Sequence, residues 1–249
     1  MVMLLGCGVA QATDVSIGTD VASAYVFRGI TVNDGLVIQP YALASGFPLP
    51  EKYGAVTIGS WANYDIGDYG DTIDNNKFSE VDLFLYYALP VSLLDVIVGY
   101  TECIYPDSDV TNDRELNLSL SKGIGDTGIT PYFKAYYGVY GGLDGISYLQ
   151  GGIGYKLPLT KTLSLAADAG VGYTAGSIER GFNDVTGSLT ATYALTAHLN
   201  LKAAITYLAE LDALDADTRC YGNIGISYNF SRKPLKFGRY LSDSLRRLR

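Results

Sequence analysis

The sequence predicts an all-β fold: a twelve-stranded, closed, antiparallel transmembrane β-barrel. Three observations point there. Apolar residues recur at period two from Asp14 onward, the signature of strands with two different faces. The 249 residues are 48% hydrophobic, yet no run of eighteen apolar residues offers a membrane helix. Charged residues make up only 18%, below the usual quarter of soluble domains, as expected for a wall bathed in hydrocarbon. Twenty-one Tyr, 29 Gly and 8 Pro fit many strands joined by tight turns.

The first strand reads from Asp14 to Ile30. Val15, Ile17, Val21, Tyr25 and Phe27 share one face, and Ser16, Gly18, Asp20 and Arg28 the other. Asn33-Asp34-Gly35 supplies hairpin chemistry. The second strand runs from about Leu36 to Gly46, with a bulge expected at Pro40, which cannot donate to a ladder. Ten further strands follow at 54–64, 79–89, 93–104, 114–122, 128–139, 146–157, 162–173, 184–195, 198–208 and 218–230. The alternation is clearest where Leu116, Leu118 and Leu120 oppose Glu115, Asn117 and Ser119. It is equally clear where Leu199, Leu201 and Ile205 oppose Asn200, Lys202 and Thr206.

Connection length is an independent signal. With both termini on one side, the turns on that side fall at 47–53, 90–92, 123–127, 158–161 and 196–197 and are mostly short. The opposite connections fall at 31–35, 65–78, 105–113, 140–145, 174–183 and 209–217 and are mostly longer and polar. Bacterial outer-membrane barrels have an even strand number and this segregation, with the short turns in the periplasm. The short first outer connection is an exception. Outward aromatics cluster at strand ends: Tyr25, Phe27, Tyr64, Tyr173 and Tyr207 at the outer rim, and Tyr87, Tyr155, Tyr193, Tyr228 and Phe230 at the periplasmic rim. They predict two interfacial girdles.

The chain divides into three parts. Residues 1–12 read as a signal-peptide remnant, with Ala10-Gln11-Ala12 as an A-x-A cleavage pattern. Residues 13–230 are the barrel, and 231–249 a basic periplasmic tail. Asn223 to Phe230 resembles the C-terminal signal by which outer-membrane barrels engage the barrel-assembly machinery. Cys103 and Cys220 are expected on non-adjacent strands, both facing outward, without a disulfide or a metal.

The opposite parity lines the lumen. Arg28, Glu80 and Asp82 are the candidate eyelet, with Lys134 and Asp168 deeper and Arg219 also pore-lining. Charged rings and pore diameter set selectivity in channels, although inward pairs of this kind also act as structural cross-braces. Trp61, Tyr132 and Tyr136 are candidates for a stacking track, or simply fill volume. The outer connections carry a strong excess of Asp and Glu, among them Asp34, Asp65, Asp113 and Asp184. Such a mouth steers cations, binds divalent ions that bridge lipopolysaccharide phosphates, or is solvated charge.

Ala24-Tyr25-Val26-Phe27-Arg28-Gly29-Ile30, followed by Val37-Ile38-Gln39-Pro40 and by Glu80-Val81-Asp82-Leu83, resembles the opening of the TorF-type porins, a Gram-negative family of conserved hypothetical proteins. Family members often carry Asn before the Tyr and Ser-Gln after the Ile, where this chain has Ala24 and Thr31-Val32. The resemblance implies an outer-membrane location and a pore, and no catalytic residue.

The expected function is therefore passive diffusion of small hydrophilic solutes with mild cation preference, in contact with outer-membrane lipid and lipopolysaccharide. The alternative is a plugged structural or surface-interaction barrel acting through acidic loops. An enzyme is not expected. The single His198 lies at a periplasmic turn, away from the acidic mouth, and no P-loop, nucleophile elbow or metal-spaced cluster occurs. No cofactor is implied. Nucleic acid is not a partner, since no binding motif accompanies the basic tail.

Overall fold

The computed structural model describes residues 14–47, 51–67, 76–106, 108–176, 180–211 and 219–230. The signal-peptide remnant, the basic tail and the acidic residues at 68–75 and 212–218 lie outside the described residues. Among the described residues no helix is long and apolar enough to cross a membrane.

Twelve strands form a closed antiparallel barrel. They are β1 (Asp14–Ala22), β4 (Val37–Ser45), β5 (Ala55–Asp65), β6 (Lys77–Ala88), β7 (Asp95–Ile104), β8 (Asp113–Ser121), β9 (Ile129–Tyr140), β10 (Ser147–Pro158), β11 (Leu163–Ala175), β12 (Arg180–Ala194), β13 (Leu199–Glu210) and β14 (Arg219–Asn229). Each wall strand pairs with its neighbour in sequence, and β1 closes the ring on β14, with Ser16 opposite Asn229 and Ala22 opposite Asn223. Closure leaves no unpaired edge, the condition for strands to stand in lipid.

The dyad pattern dictates this wall. Ile58, Leu83, Leu85, Leu116, Leu189, Ile205 and Ile224 stay exposed on the outside, Ile224 as much as 69%. A continuous belt of such residues suits hydrocarbon rather than water. Tyr64 packs edge-on against Phe78, and Tyr173 against Phe182, at the outer rim. Tyr228 packs against Phe230 at the other end. In the half of the interior nearer the short turns, Leu43, Phe84, Tyr86, Ala88 and Ile97 form an apolar cluster.

Five expectations are corrected. The first strand ends at Ala22, and residues 23–36 are a long connection that carries its own hairpin, β2 (Tyr25–Phe27) and β3 (Ile30–Asn33). Its turn is Arg28-Gly29, not Asn33-Asp34-Gly35: Phe27 pairs with Ile30, and Arg28 and Gly29 both have positive φ, 49° and 88°. A two-residue loop with two positive φ values matches the right-handed twist of a hairpin. Tyr25 and Phe27 are thereby removed from the outer girdle; Tyr25 is only 2% exposed. Pro40 makes no bulge. The β4–β5 register continues from Ile38↔Tyr64 to Tyr41↔Trp61, and only the rungs at Gln39 and Pro40 are missing. Finally, Cys103 points inward and is buried, while Cys220 is exposed; both are free thiols.

Candidate functional site: a hairpin inside the lumen

A twelve-stranded barrel is wider than the roughly eight-stranded size at which wall side chains alone fill the interior. Here the extra space holds the β2–β3 hairpin. Its side chains also alternate, but both faces are mainly apolar and each packs on the wall. Tyr25 packs with Ala22 and Val37, against Phe27, Val32 and Trp61. Ala24 and Val26 pack on Leu208 of β13 and Tyr221 of β14. The Tyr25 and Trp61 rings are 5.5 Å apart.

Polar anchors fix the hairpin. The Tyr25 hydroxyl donates to Glu80 Oε2 at 2.5 Å. Arg28 donates from Nη1 and Nη2 to the two oxygens of Glu115 at 2.6 and 2.7 Å, a planar fork in which each partner is nearly out of water, with side chains 11% and 5% exposed. The guanidinium carbon lies 4.1 Å from the Tyr136 ring centre, 4.4 Å from Phe27 and 5.3 Å from Tyr148. The Arg28 carbonyl accepts from Asn183 Nδ2 at 2.6 Å. At the base of the hairpin, Asn33 donates to Asp65 Oδ1 at 2.6 Å and to the Gly67 carbonyl at 3.0 Å, and accepts from the Gly35 amide at 2.7 Å. Arg219 faces Asp34 at 3.5 Å.

The other predicted lumen residues fall on the wall around this hairpin. Glu80, Asp82 and Cys103 bring one ligand atom each within 4.8 Å of one another, all three buried. Lys134 is buried, its Nζ 5.1 Å from the centre of the Tyr132 ring. Tyr132 donates to Asp168 at 2.9 Å. Lys202 and Asp20, on β13 and β1, meet at 2.5 Å. Tyr136 and Tyr148 are 6.1 Å apart and carry Arg28 rather than forming a track with Trp61. The eyelet trio is thus divided. Glu80 and Asp82 are wall residues, whereas Arg28 reaches the centre from the hairpin and pairs with Glu115 instead. Large inward rings need thin wall opposite them: a Cβ on Gly170 would meet the Tyr132 hydroxyl at 2.7 Å, and one on Gly172 would collide with Tyr148 and Asp184.

Three mouth carboxylates turn inward and are committed to hydrogen bonds. Asp65 accepts from Asn33 and Asn63. Asp113 accepts from Tyr105 and from the Leu143 amide. Asp184 accepts from Tyr148 and Asn183. Burial, then the nearby Glu80 charge and the bond to Asp113, push the Tyr105 hydroxyl far above its ordinary range, so it is a permanent donor. His198 sits at the β12–β13 turn, where Nδ1 meets the Asn229 carbonyl at 2.8 Å and the ring stacks on Tyr228.

Two spaces flank the hairpin. One of about 160 Å³ is bordered by Trp61, Asp82, Tyr86, Asn117, Lys202 and Asn223. The other, about 90 Å³, is bordered by Tyr148, Gln150, Asp168, Asp184 and Thr186. Arg28 and Tyr136 border both.

A family profile described as "Bacterial protein of unknown function (Gcw_chp)" matches residues 7–233, and the chain belongs to that family. No curated protein matches the sequence. Among solved structures, the KdgM porin superposes with a TM-score of 0.51 at 10% identity, covering 88% of this chain and 99% of its own. An outer membrane channel from Pseudomonas putida F1 gives 0.52 at 13%, covering 89% and 96%. The NanC porin gives 0.50 at 13%, covering 87% and 99%. At these identities the likeness is one of fold.

Proposed function

We propose that this barrel is an outer-membrane channel for small hydrophilic solutes, with a cation preference, whose lumen is narrowed by its own first outer connection. The observation that carries the reading is the docked β2–β3 hairpin: an apolar, ring-rich segment held by a few polar anchors inside a closed barrel whose inner wall carries charged as well as apolar side chains. The similarity of fold to porins, and the TorF-like stretch 24–30 that forms this hairpin, support it. Cation preference follows from the inward Asp20, Glu80, Asp82, Glu115, Asp168 and Asp184, which outnumber Arg28, Lys134, Lys202 and Arg219. Glu80 and Asp82 are the eyelet carboxylates of the wall, and Arg28, held by Glu115, is the cation that the hairpin carries into the lumen.

The test is current through the refolded protein in a planar bilayer under a salt gradient. We expect discrete steps with a cation-selective reversal potential, and larger, longer openings when residues 23–36 are replaced by a short Asn-Gly turn. Glu80→Gln with Asp82→Asn lowers the cation preference. A barrel that folds yet stays silent even without the hairpin would leave the plugged, structural reading, which the paired Arg28 and Glu115 favour.

A further inference from the structure

The hairpin turn holds an unusual choice of residue. A two-residue turn with positive φ at both positions suits Asn-Gly or Gly-Gly, because a side chain in the left-handed region crowds its own backbone. Position 29 is glycine, but position 28, at φ 49°, is Arg. Local turn chemistry does not select arginine there; its side chain does something that asparagine cannot.

What it does is fill a cation site built by the wall. Glu115 on β8 presents both carboxylate oxygens in the plane of the guanidinium, and Tyr136 on β9 and Tyr148 on β10 offer ring faces at 4.1 and 5.3 Å. A carboxylate fork with two aromatic faces recognises a planar guanidinium better than a spherical ammonium or a metal ion, because it uses both the parallel N–H pair and the flat π surface. These three residues belong to the wall strands β8, β9 and β10 and not to the hairpin. The tethered Arg28 fits them imperfectly. Its Nε is buried without a hydrogen-bond partner, and the Tyr136 hydroxyl and Asp184 Oδ1, which border the adjoining space of about 90 Å³, are likewise buried and unused.

We infer that Glu115, Tyr136 and Tyr148 form a recognition site for a permeating solute that carries a guanidinium group, and that Arg28 occupies it as a tethered stand-in. A free guanidinium solute reproduces the fork and the ring contacts without the left-handed backbone. It also has further N–H groups for the Tyr136 hydroxyl and Asp184. Because a ligand shifts a two-state element only by its differential affinity, such a solute displaces Arg28 and releases the hairpin. The release step rests on the channel reading above; the site itself does not.

The lone Trp61 lies against Tyr25 of the hairpin, so its emission reports hairpin position independently of current. The experiment titrates the detergent-refolded wild type with methylguanidinium chloride, against methylammonium chloride and sodium chloride at equal ionic strength, and repeats the series in the bilayer. Arg28→Asn is the informative variant, since it keeps the turn chemistry and removes the guanidinium; Glu115→Gln removes the fork. For the wild type we expect a saturable Trp61 response to methylguanidinium at millimolar concentration, several-fold weaker with methylammonium, together with a several-fold rise in open probability. Arg28→Asn should begin at the displaced emission with high open probability. Methylguanidinium should then lower the unitary conductance of its openings, as it does those of the wild type, and this reduction should vanish when Glu115→Gln is added. If Arg28→Asn opens the pore but methylguanidinium acts no differently from sodium on either readout, the inference is overturned and the channel reading stands. A saturable Trp61 response without current from any variant would keep the site and overturn the channel reading.

Discussion

The wall pair β13–β14 and the lumen hairpin β2–β3 are the same local structure held by different forces. In β13–β14, Leu201, Ile205, Ile224 and Ile226 look outward to lipid while Lys202, Asn223 and Ser227 look inward, so one face is apolar and the other polar. In β2–β3 both faces are mainly apolar, and each packs on a different part of the wall. The wall pair is specified by two solvents, and any register slip would exchange them. The hairpin has no such pair of solvents to orient it. Its position depends on Glu80, Glu115, Tyr136, Tyr148 and Asn183, five residues far along the chain. A structure determined by a repeated pattern is robust to single changes, whereas one determined by a few distant contacts can be released by losing one of them.

The largest effect is expected where the wall itself is broken. Leu189→Arg on the lipid face of β12 should cost roughly 2–4 kcal/mol in a bilayer, the penalty for a charge near the midplane. The neighbouring inward Thr190→Arg should cost much less. Urea unfolding of the two variants in lipid vesicles checks this; equal losses would mean that the two faces of β12 do not see different solvents.

The next effect belongs to the hairpin anchor. Glu115→Gln leaves a buried guanidinium with half its fork, at roughly 2–3 kcal/mol. Adding Arg28→Asn should recover most of that loss, because the stranded cation goes with it. A double-mutant cycle of equilibrium unfolding then gives a coupling on the order of 1–3 kcal/mol. Additive losses would show that the pair contributes nothing as a pair.

How much of this could be read from the sequence divides along the same line. The twelve wall strands were legible, including β8 with Leu116 and Leu118 against Glu115 and Asn117, because each carries its own alternation. The lumen identity of Glu80, Asp82, Lys134 and Tyr136 followed from parity alone. The hairpin was not legible by that rule. Tyr25 and Phe27 continue the parity of Ile17 and Val21, so the first strand ran on to Ile30. Two signals pointed the other way. A strand from 14 to 30 is far longer than the ~9–11 residues that cross a bilayer, and its inward face changes from Ser16, Gly18 and Asp20 to the apolar Ala22, Ala24 and Val26. The short first outer connection was a consequence of the same misreading. The pairing of Arg28 with Glu115 rather than with Glu80 and Asp82 had no local signal, since it is set by how far the hairpin reaches across the lumen.

A smaller effect is expected at the second anchor. Tyr25→Phe deletes one hydrogen bond to Glu80 while leaving the ring on Trp61, at about 1 kcal/mol. The hairpin should loosen without leaving, so brief openings become more frequent with the single-channel conductance unchanged. A change in conductance instead of frequency would mean that Tyr25 lines the open path rather than holding the closed one.

The smallest effect tests the field of the lumen and uses the two thiols of the described barrel as internal controls. Cys103 faces inward beside Glu80 and Asp82 on the border of the larger space, while Cys220 lies exposed on the outward face of β14. Carboxylates at that distance raise the local concentration of cations and lower that of anions. In lipid vesicles a cationic methanethiosulfonate should therefore label Cys103 several-fold faster than an anionic one of similar size, and both rates should rise in Arg28→Asn as the hairpin vacates the lumen. Cys220, turned toward lipid, should react with neither. Equal rates for the two reagents at Cys103 would mean that Lys134 and Lys202 cancel the acidic wall, and the cation preference would then have to come from the outer connections alone.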